Sequence, residues 1–356
     1  MRPAAREVRL GPQPQVARRA QSLYTEPMST PRPAAHDPST RLEIFLATSP
    51  GLETYLRDEV LAHRFPGAKA VPGGVITRGR WQDVWRANLS VRGAGRVLVR
   101  IAAFHVTHLA QLDALSRRID WAAVLRKDVA FRVEATCKRS KIYHSGAAAE
   151  RVEKAITATL GAPASADAPV RIEDDRCVIS VDTSGELLHK RGAKQAVNKA
   201  PMRETLAALF LRACGYHGGE PVLDPMCGAG TFVIEAAEIA AGLAPGRARS
   251  FAFEQLATFD ADAWAALRAS ANTRCETSAR FFGSDRDAGA IAMSRSNAER
   301  AGVAGLCTFT QHAISDLARP EGPPGLVIVN PPYGVRIGET KPLVPLYRAL
   351  GETLRT

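Results

Sequence analysis

The sequence has no long hydrophobic run and no closely spaced pair of cysteines. Charged residues interrupt each apolar stretch well before about 18 residues, so no transmembrane helix is predicted. The six cysteines are scattered without a C-x-x-C pair, which argues against a zinc ribbon and a disulfide framework and is typical of the reducing cytosol. The start lacks the apolar segment of a secretory signal. These absences predict a cytoplasmic protein with no membrane partner and no bound metal.

The sequence has fewer acidic than basic residues, and the imbalance is confined to the first part of the chain. The chain has 47 Lys and Arg against 36 Asp and Glu, a net charge of +11. Residues 41–200 carry 26 basic and 17 acidic residues, whereas residues 201–356 carry 15 and 16. A basic module joined to a nearly neutral one favours a polyanion-binding part beside a part with another task. Solvated faces of an arginine-rich protein are the alternative.

A chain of 356 residues is expected to form two or three domains of roughly 100–200 residues each. Residues 1–40 hold seven prolines and six arginines without apolar periodicity. They predict a disordered extension, or residues upstream of a true start near Met28. An arginine-rich start also resembles an organellar presequence, which the acids and prolines here disfavour.

Residues 41–185 alternate short strands and helices in two successive stretches. The first, 41–104, has the texture of a ferredoxin-like α+β unit. The second, 105–185, repeats that texture, with Gly161–Ala168 predicted as a loop because it is rich in Ala and Pro. From residue 186, strands alternate with helices as in a doubly wound parallel sheet, whose ligands bind at the carboxyl ends of the strands.

The clearest local motif is a glycine loop between a predicted strand and a predicted helix. Asp224 follows the strand, and Gly228 and Gly230 lack a Cβ atom, so the backbone can approach a bound molecule closely. No Gly-Lys-Ser/Thr follows, and Val233 stands where a dinucleotide fingerprint has its third glycine, so neither motif is complete. A ligand loop and a merely structural turn both fit at this stage.

Two further motifs follow later strands of the predicted sheet. Gly283-Ser284-Asp285 places an acid where it can accept hydrogen bonds from both ribose hydroxyls of a nucleoside cofactor, or simply cap the next helix. In Asn330-Pro331-Pro332-Tyr333-Gly334, the Asn330 side chain and the Pro331 carbonyl offer two acceptors for an exocyclic amino group, and Tyr333 offers a ring for stacking. A proline-rich strand exit is the alternative.

Together and in this order, these motifs resemble the class I S-adenosylmethionine-dependent methyltransferases that act on amino nitrogens. Leu188–Gly192, Ala200–Ala207, Ala244–Gly246 and Ala252–Glu254 narrow the likeness to the THUMP-domain RNA methyltransferases, most like the bacterial 23S rRNA (guanine-N2)-methyltransferases. The likeness covers about residues 41–356 and is strongest after residue 185. It implies an α/β fold with a Rossmann-like parallel sheet at 186–356, preceded by a ferredoxin-like domain at 41–104 and a THUMP RNA-binding domain at 105–185.

The resemblance also implies the site residues. The cofactor-binding positions would be Thr205, Asp224, Cys227, Gly228, Gly230, Thr231, Asp285 and Ala313, and the catalytic positions Asn330, Pro331 and Tyr333. The sequence departs from the family in two ways. Ala313 stands where the family usually has an Asp that accepts from the adenine amino group. The chain also ends after the helix that follows the fourth strand, so we expect a C-terminally truncated catalytic domain.

The implied reaction is transfer of a methyl group from S-adenosylmethionine to the N2 amine of a guanine in 23S rRNA. The guanine nitrogen is a poor nucleophile, and two acceptors would make it more pyramidal and stabilise its developing charge. Lys138–His144 and His189-Lys190-Arg191 are candidate phosphate contacts in the basic half.

Several alternatives share parts of this pattern. A tRNA guanine-N2 methyltransferase has the same domains, and a truncated, inactive RNA-binding protein would also have a basic first half. DNA adenine methyltransferases and release-factor glutamine methyltransferases share the Asn-Pro-Pro-Tyr string, but the basic first half disfavours both. Binding of the cofactor separates an enzyme from the inactive protein.

Overall fold

The computed structural model describes residues 41–161, 164–192, 194, 202–271, 273–332 and 343–355. The predicted extension at 1–40 and the predicted catalytic Tyr333 lie outside these ranges. The strands are β1 (Leu42–Ala47), β2 (Lys69–Val71), β3 (Gly74–Gly79), β4 (Arg96–His105), β5 (Phe131–Lys138), β6 (Ala164–Glu173), β7 (Arg176–Asp182), β8 (Val222–Asp224), β9 (Phe281–Asp285), β10 (Cys307–Gln311) and β11 (Leu326–Val327). The helices are α1 (Glu53–Ala62), α2 (Trp81–Ser90), α3 (Leu109–Ser116), α4 (Ser145–Leu160), α5 (Glu204–Ala213), α6 (Thr231–Ala240), α7 (Ala261–Ala271), α8 (Ala288–Ala301) and α9 (Leu343–Thr353). None of the described helices is both long and apolar enough to cross a bilayer.

The strands before residue 183 form one continuous sheet in the order β2-β3-β1-β4-β7-β6-β5. The central strand β4 alternates buried Val97 and Val99 with less buried neighbours, as expected for a strand with one face on a core. It pairs with β1 on one side and β7 on the other. The sheet therefore runs without a break across the domain boundary predicted at residue 104, and that boundary stays a prediction.

The loop predicted at Gly161–Ala168 is wrong for residues 164–168, because β6 begins at Ala164. The first part of β6 pairs only with β5, and β7 joins it only at Val170–Glu173. Pro169 therefore lies where one side of the strand is an edge, the position at which a sheet tolerates proline. Pairing with β5 overrides the weak local strand propensity of alanine and proline.

The second sheet is parallel, with the strand order β10-β9-β8-β11. Asp224 at the end of β8 lies opposite Gly283 of β9, and Asp285 at the end of β9 lies opposite Gln311 of β10. The carboxyl ends of the strands thus meet at one edge. This arrangement confirms the predicted α/β class with a parallel sheet, although β11 is shorter than the predicted Leu326–Val329.

An aromatic cluster packs the segment after α6 against the basic first half. The Phe253 ring lies 5.9 Å from the Trp85 ring of α2 and 4.9 Å from the Trp264 ring of α7. Phe251 stacks on Phe253 at 5.2 Å. Phe251, Phe253 and Trp264 therefore belong to the core of the first sheet, although they lie in sequence between strands of the second.

A buried ion network also joins the two halves. Glu235 of α6 accepts hydrogen bonds from Arg191 and from Arg92, the latter at 2.9 Å. Both arginines also lie 3.5 Å from Glu238, one turn further along α6. Since α6 begins directly after the glycine loop, the network attaches this loop to the first half of the chain.

Candidate active site

The glycine loop takes a backbone conformation that requires glycine at two positions. Gly228 and Gly230 have φ values of 54° and 80°, in the left-handed region that other residues rarely adopt. A Cβ atom on Gly230 would also lie 3.1 Å from the Ser294 side chain of α8. The loop therefore turns sharply and packs closely against α8 just before α6 begins.

Asp285 holds the glycine loop against the end of β9. One carboxylate oxygen accepts the Gly228 amide at 3.0 Å, and the other accepts the Asp287 amide at 3.0 Å. Asp287, and not Asp285, caps α8 by accepting from the Gly289 amide at 2.9 Å. Since each carboxylate oxygen can accept a second hydrogen bond, Asp285 keeps acceptor capacity for two further donors.

Asp224 is a buried carboxylate with no counter-ion among the residues that the structure describes. Its Oδ1 accepts the Met226 amide at 3.1 Å, and no other described residue donates to its carboxylate. Burial is the main cause that raises the pKa of Asp224 to about 7; the hydrogen bond from the Met226 amide opposes this rise, and the charge of nearby Asp285 adds to it. A cation bound beside Asp224 would remove this cost, so the site suits a ligand with an ammonium group.

Cys227, in the loop, and Thr205, on α5, are both buried. The Cys227 thiol lies 3.8 Å from the Ser294 hydroxyl within the core, and burial raises its pKa. The Cys227 amide donates to the Ser284 carbonyl at 2.9 Å. Thr205 is buried on α5, which packs against α6. The side chain of Cys227 is therefore a core residue, and both cofactor assignments stay predictions.

Thr231 is held by a lysine that the sequence did not single out. Lys194 Nζ donates to Thr231 Oγ1 at 2.9 Å and to the Met202 carbonyl at 2.6 Å. The same ammonium lies 3.5 Å from the Glu204 carboxylate, and burial lowers its pKa. The ammonium therefore stands at the first residue of α6. No local signal marks Lys194, because its partners lie just before α5, in α5 and in α6.

Asn330 and Pro331 follow β11 at the same edge of the sheet. The Ile328 amide donates to the Leu223 carbonyl at 3.0 Å, so the chain is still aligned with β8 two residues before Asn330. The Asn330 side chain is exposed and has no hydrogen bond with another described residue. Its amide group is thus free to accept from a ligand.

The two remaining predicted positions are less well defined. Ala313 is half-buried and follows β10 by two residues, just before a turn at Ile314–Asp316. It lies near the carboxyl edge, because the His312 amide donates to the Asp285 carbonyl at 3.2 Å. Tyr333 lies outside the described residues, so its role stays a prediction.

A basic cavity of about 1530 Å³ lies between the first sheet and the start of the second half. The charged and titratable residues in its lining are Arg126, Arg132, Glu153, Asp182, Glu186, His189, Lys190, Arg191, Lys194, Arg203, Glu204 and Arg249. Burial and four surrounding cations lower the pKa of His189 to about 4. Arg203 has no carboxylate partner among the described residues. The cavity therefore favours an anion.

The prediction that Arg191 contacts phosphate is wrong. Its side chain is buried and its guanidinium binds Glu235, so it stabilises the protein interior. Its neighbour Lys190 is exposed and pairs with Glu186 at 2.6 Å, the weak kind of surface ion pair that a phosphate can displace. Lys190 and Arg191 are adjacent in the chain, and only the tertiary structure separates their roles.

Two family models match the chain. A model described as RMKL-like, methyltransferase domain, matches residues 191–356. A model described as RlmL ferredoxin-like domain matches residues 43–98. The second match agrees with the ferredoxin-like unit predicted at 41–104, whereas the THUMP assignment of 105–185 stays a prediction.

Among characterised sequences, the chain is similar to the ribosomal RNA large subunit methyltransferase K/L of Vibrio campbellii. The two are 34% identical over 326 residues, which are 86% of this chain and 46% of that protein. The protein of the same name from Vibrio parahaemolyticus is equally similar over the same shares. The chain thus spans about half the length of the curated relatives it matches.

Two solved structures have the same fold over most of their length. A possible methylase from Clostridium difficile 630 superposes with a TM-score of 0.83 and 31% identity, covering 89% of this chain and 87% of that one. A putative methyltransferase solved in complex with SAH superposes with a TM-score of 0.79 and 26% identity, over 88% and 86% of the two chains.

Proposed function

The chain belongs to the RMKL-like methyltransferase family, and we propose that it transfers a methyl group from S-adenosylmethionine to the N2 amine of a guanine in 23S rRNA. The observation that carries the proposal is the meeting of Asp224, the glycine loop and Asp285 at one edge of the parallel sheet. Asn330 follows the adjacent strand β11. A nucleoside that carries an amino acid needs an acid for its ammonium group, a backbone that can approach it closely, and a second acid for its ribose hydroxyls.

We assign the two acids to opposite ends of the cofactor. Within the described part of the chain, the buried carboxylate of Asp224 has no counter-ion, which fits the α-ammonium of the methionine part. Asp285 keeps two acceptor positions, which fit the two ribose hydroxyls. Lys194, held at the start of α6 by Thr231, adds positive charge where the methionine carboxylate would lie, and the positive end of the α6 dipole acts in the same direction.

S-adenosylmethionine supplies an electrophilic methyl group on a sulfonium, so the protein has to orient the amine and stabilise its charge. Asn330 Oδ1 and the Pro331 carbonyl would accept the two N–H bonds of the guanine amine. This pulls the nitrogen lone pair out of the ring plane and stabilises the positive charge that develops on nitrogen. The proton leaves after transfer, when the alkylated nitrogen is acidic, so no strong base is needed.

The basic first half supports an RNA substrate. The excess of basic residues lies in 41–200, and the cation-lined cavity reaches Lys194, Arg203 and Glu204 beside the proposed cofactor site. The curated relatives are methyltransferases of large-subunit rRNA by name, and one structural neighbour is complexed with SAH. A guanine bound here has to leave its stack, since the acceptors lie at a sheet edge.

Two measurements test the proposal at separate levels. Calorimetry of the chain with S-adenosylhomocysteine tests cofactor binding, and absence of heat would favour an inactive RNA-binding protein. Mass mapping of modified nucleosides in 23S rRNA and tRNA from a deletion strain tests the substrate. Loss of one N2-methylguanosine from 23S rRNA is the expected result, whereas its loss from tRNA would identify a tRNA enzyme.

Asn330→Ala tests the catalytic assignment. Removing one polar group that stabilises developing charge typically lowers the rate by about 10²–10³, and we expect such a loss with unchanged S-adenosylhomocysteine affinity. Asn330→Asp keeps one acceptor and is the matched comparison. Near-normal turnover of the alanine variant would remove Asn330 from the mechanism.

A further inference from the structure

The loop between β5 and α4 presents an exposed pair of aromatic rings in contact with each other. The Tyr143 side chain is 74% exposed, and its ring centroid lies 4.3 Å from that of His144, at an interplanar angle of 42°. We propose that these two rings, the Tyr143–His144 platform, stack an unpaired base of the RNA. The proposal rests on the proposed function insofar as the ligand is RNA.

The loop that carries the platform is rigid, which distinguishes it from an ordinary exposed loop. Asp175 accepts the Ser140 hydroxyl at 2.7 Å and the Lys141 amide at 2.7 Å. The Ser140 hydroxyl in turn accepts the Ile142 amide at 3.2 Å. Ile142 is buried and lies between the exposed Lys141 and Tyr143. Because these bonds fix the backbone next to Tyr143 in the free protein, the loop itself loses little entropy when a base binds to the platform.

The charges around the platform suit a nucleic acid backbone. Glu173 and Asp174 on the neighbouring turn are bound by Arg139, at 2.8 Å in each case, and Asp175 is occupied by the loop itself. Lys141 is exposed and has no ion-pair partner among the described residues. Arg139, together with Lys138 at 3.9 Å from Glu173, therefore offsets the charges of Glu173 and Asp174, and the Lys141 side chain has no ion pair to break before it contacts a phosphate next to the stacked base.

The platform lies along a strand that leads to the basic cavity. Phe131 and Arg132, at the start of β5, line the cavity, and Lys138 at the other end of β5 precedes the platform loop. At about 3.3 Å per residue, β5 separates the two by roughly 23 Å. A strand of RNA that enters the cavity and follows β5 therefore reaches the platform, outside the proposed methyl-transfer site.

The test separates stacking from phosphate contacts by their dependence on salt. The probe is a fluorescein-labelled, single-stranded RNA of about 12 nucleotides, a length in the range of single-strand sites, bound to the whole chain and followed by anisotropy. Tyr143→Ala should weaken binding by about 5- to 150-fold at every salt concentration, the effect of losing one stacked base. Tyr143→Phe should bind like the natural chain.

Two control variants show what loss of a phosphate contact and loss of an unrelated exposed side chain would look like. Lys141→Ala should lower the slope of log K against log salt by about 0.7, as expected for one lost phosphate contact to a single strand, whereas Tyr143→Ala leaves the slope unchanged. Leu61→Ala removes another large exposed side chain, on α1, and should not change binding. When single bases of the probe are replaced by an abasic sugar, binding to the natural chain should weaken at one position. The same replacement should not weaken binding to Tyr143→Ala any further, because the stacking contact is already lost.

The outcomes are distinguishable from failure of the proposed function. If the natural chain binds no RNA at low salt, the RNA substrate is wrong. If it binds RNA and Tyr143→Ala binds equally, or if Tyr143→Phe loses as much affinity as Tyr143→Ala, the platform does not stack a base and the inference fails. Cofactor binding, measured with S-adenosylhomocysteine, is expected to be the same in all these variants.

Discussion

Asp224 gives the sharpest prediction, because removing its charge should change stability and cofactor affinity in opposite directions. The buried carboxylate has no counter-ion among the described residues, so ionisation is costly in the free protein. Asp224→Asn keeps the shape of the side chain and cannot ionise. We therefore expect the variant to gain stability at alkaline pH and to lose affinity for the cofactor.

The magnitude follows from the raised pKa of Asp224. A rise from 3.8 to about 7 corresponds to about 4 kcal/mol at 1.36 kcal/mol for each pH unit. Between these two values the folded state holds a proton that the unfolded state has lost, so the natural chain loses stability as pH rises through this window. From pH 5 to pH 8, the stability of Asp224→Asn relative to the natural chain should therefore rise by about 2–3 kcal/mol.

The assay is urea unfolding of both proteins at pH 5 and pH 8, with calorimetry of S-adenosylhomocysteine at pH 8. Asp182→Asn is the matched control. Asp182 is equally buried, but it is paired with Arg96 and accepts the Ser184 amide at 2.8 Å. Breaking a fully buried ion pair is destabilising by about 3–5 kcal/mol; since the Arg96 side chain is 33% exposed, this control should lose less than that at pH 8, but it should lose stability where Asp224→Asn gains it.

Two results would refute the reasoning about Asp224. If the stability of the variant relative to the natural chain is the same at both pH values, the Asp224 carboxylate is ionised without cost and its charge is already compensated. Unchanged affinity for S-adenosylhomocysteine would show that Asp224 does not bind the ammonium group, even if its ionisation is costly. We expect affinity to fall by at least about 10-fold, the loss of one charge-assisted hydrogen bond.

Two further predictions concern the loop and its attachment. Gly230→Ala forces a side chain into the left-handed region and against α8, and should lower the free energy of unfolding by more than Gly302→Ala, where φ is 74° but no atom lies within 4 Å of the new Cβ; equal effects in thermal unfolding would contradict the close packing. Arg191→Met leaves Glu235 with one of its two arginines and should cost about 3–5 kcal/mol; an unchanged melting temperature would show that the network does not join the halves.

Local sequence signals were sufficient for the parts of the site that act within a few residues. Gly228 and Gly230 stood out because a sharp turn between a strand and a helix needs residues without a Cβ atom, and both have positive φ. Asp285 stood out because it ends a strand of the parallel sheet. Its contact with the Gly228 amide, however, depends on pairing between β8 and β9.

The errors of the sequence analysis arise where contacts between distant residues override local signals. Residues 164–168 looked like a loop because alanine and proline disfavour strands, yet pairing with β5 makes them part of β6. Arg191 looked like a phosphate ligand because it follows His189 and Lys190. Its partner Glu235 lies 44 residues away, and no local pattern can predict such a pairing.

Alternating hydrophobicity, glycines and strand-end acids by themselves determined the α/β class, the order of the motifs and the kind of ligand. These features depend on interactions between residues that are close in the chain. The tertiary structure alone decided which charges are buried together, which lysine holds Thr231, and which rings remain exposed on the surface. Burial depends on packing between segments that are distant in the chain. A charged residue that would be solvated on the surface can therefore become part of a structural ion pair or a ligand-binding group in the interior.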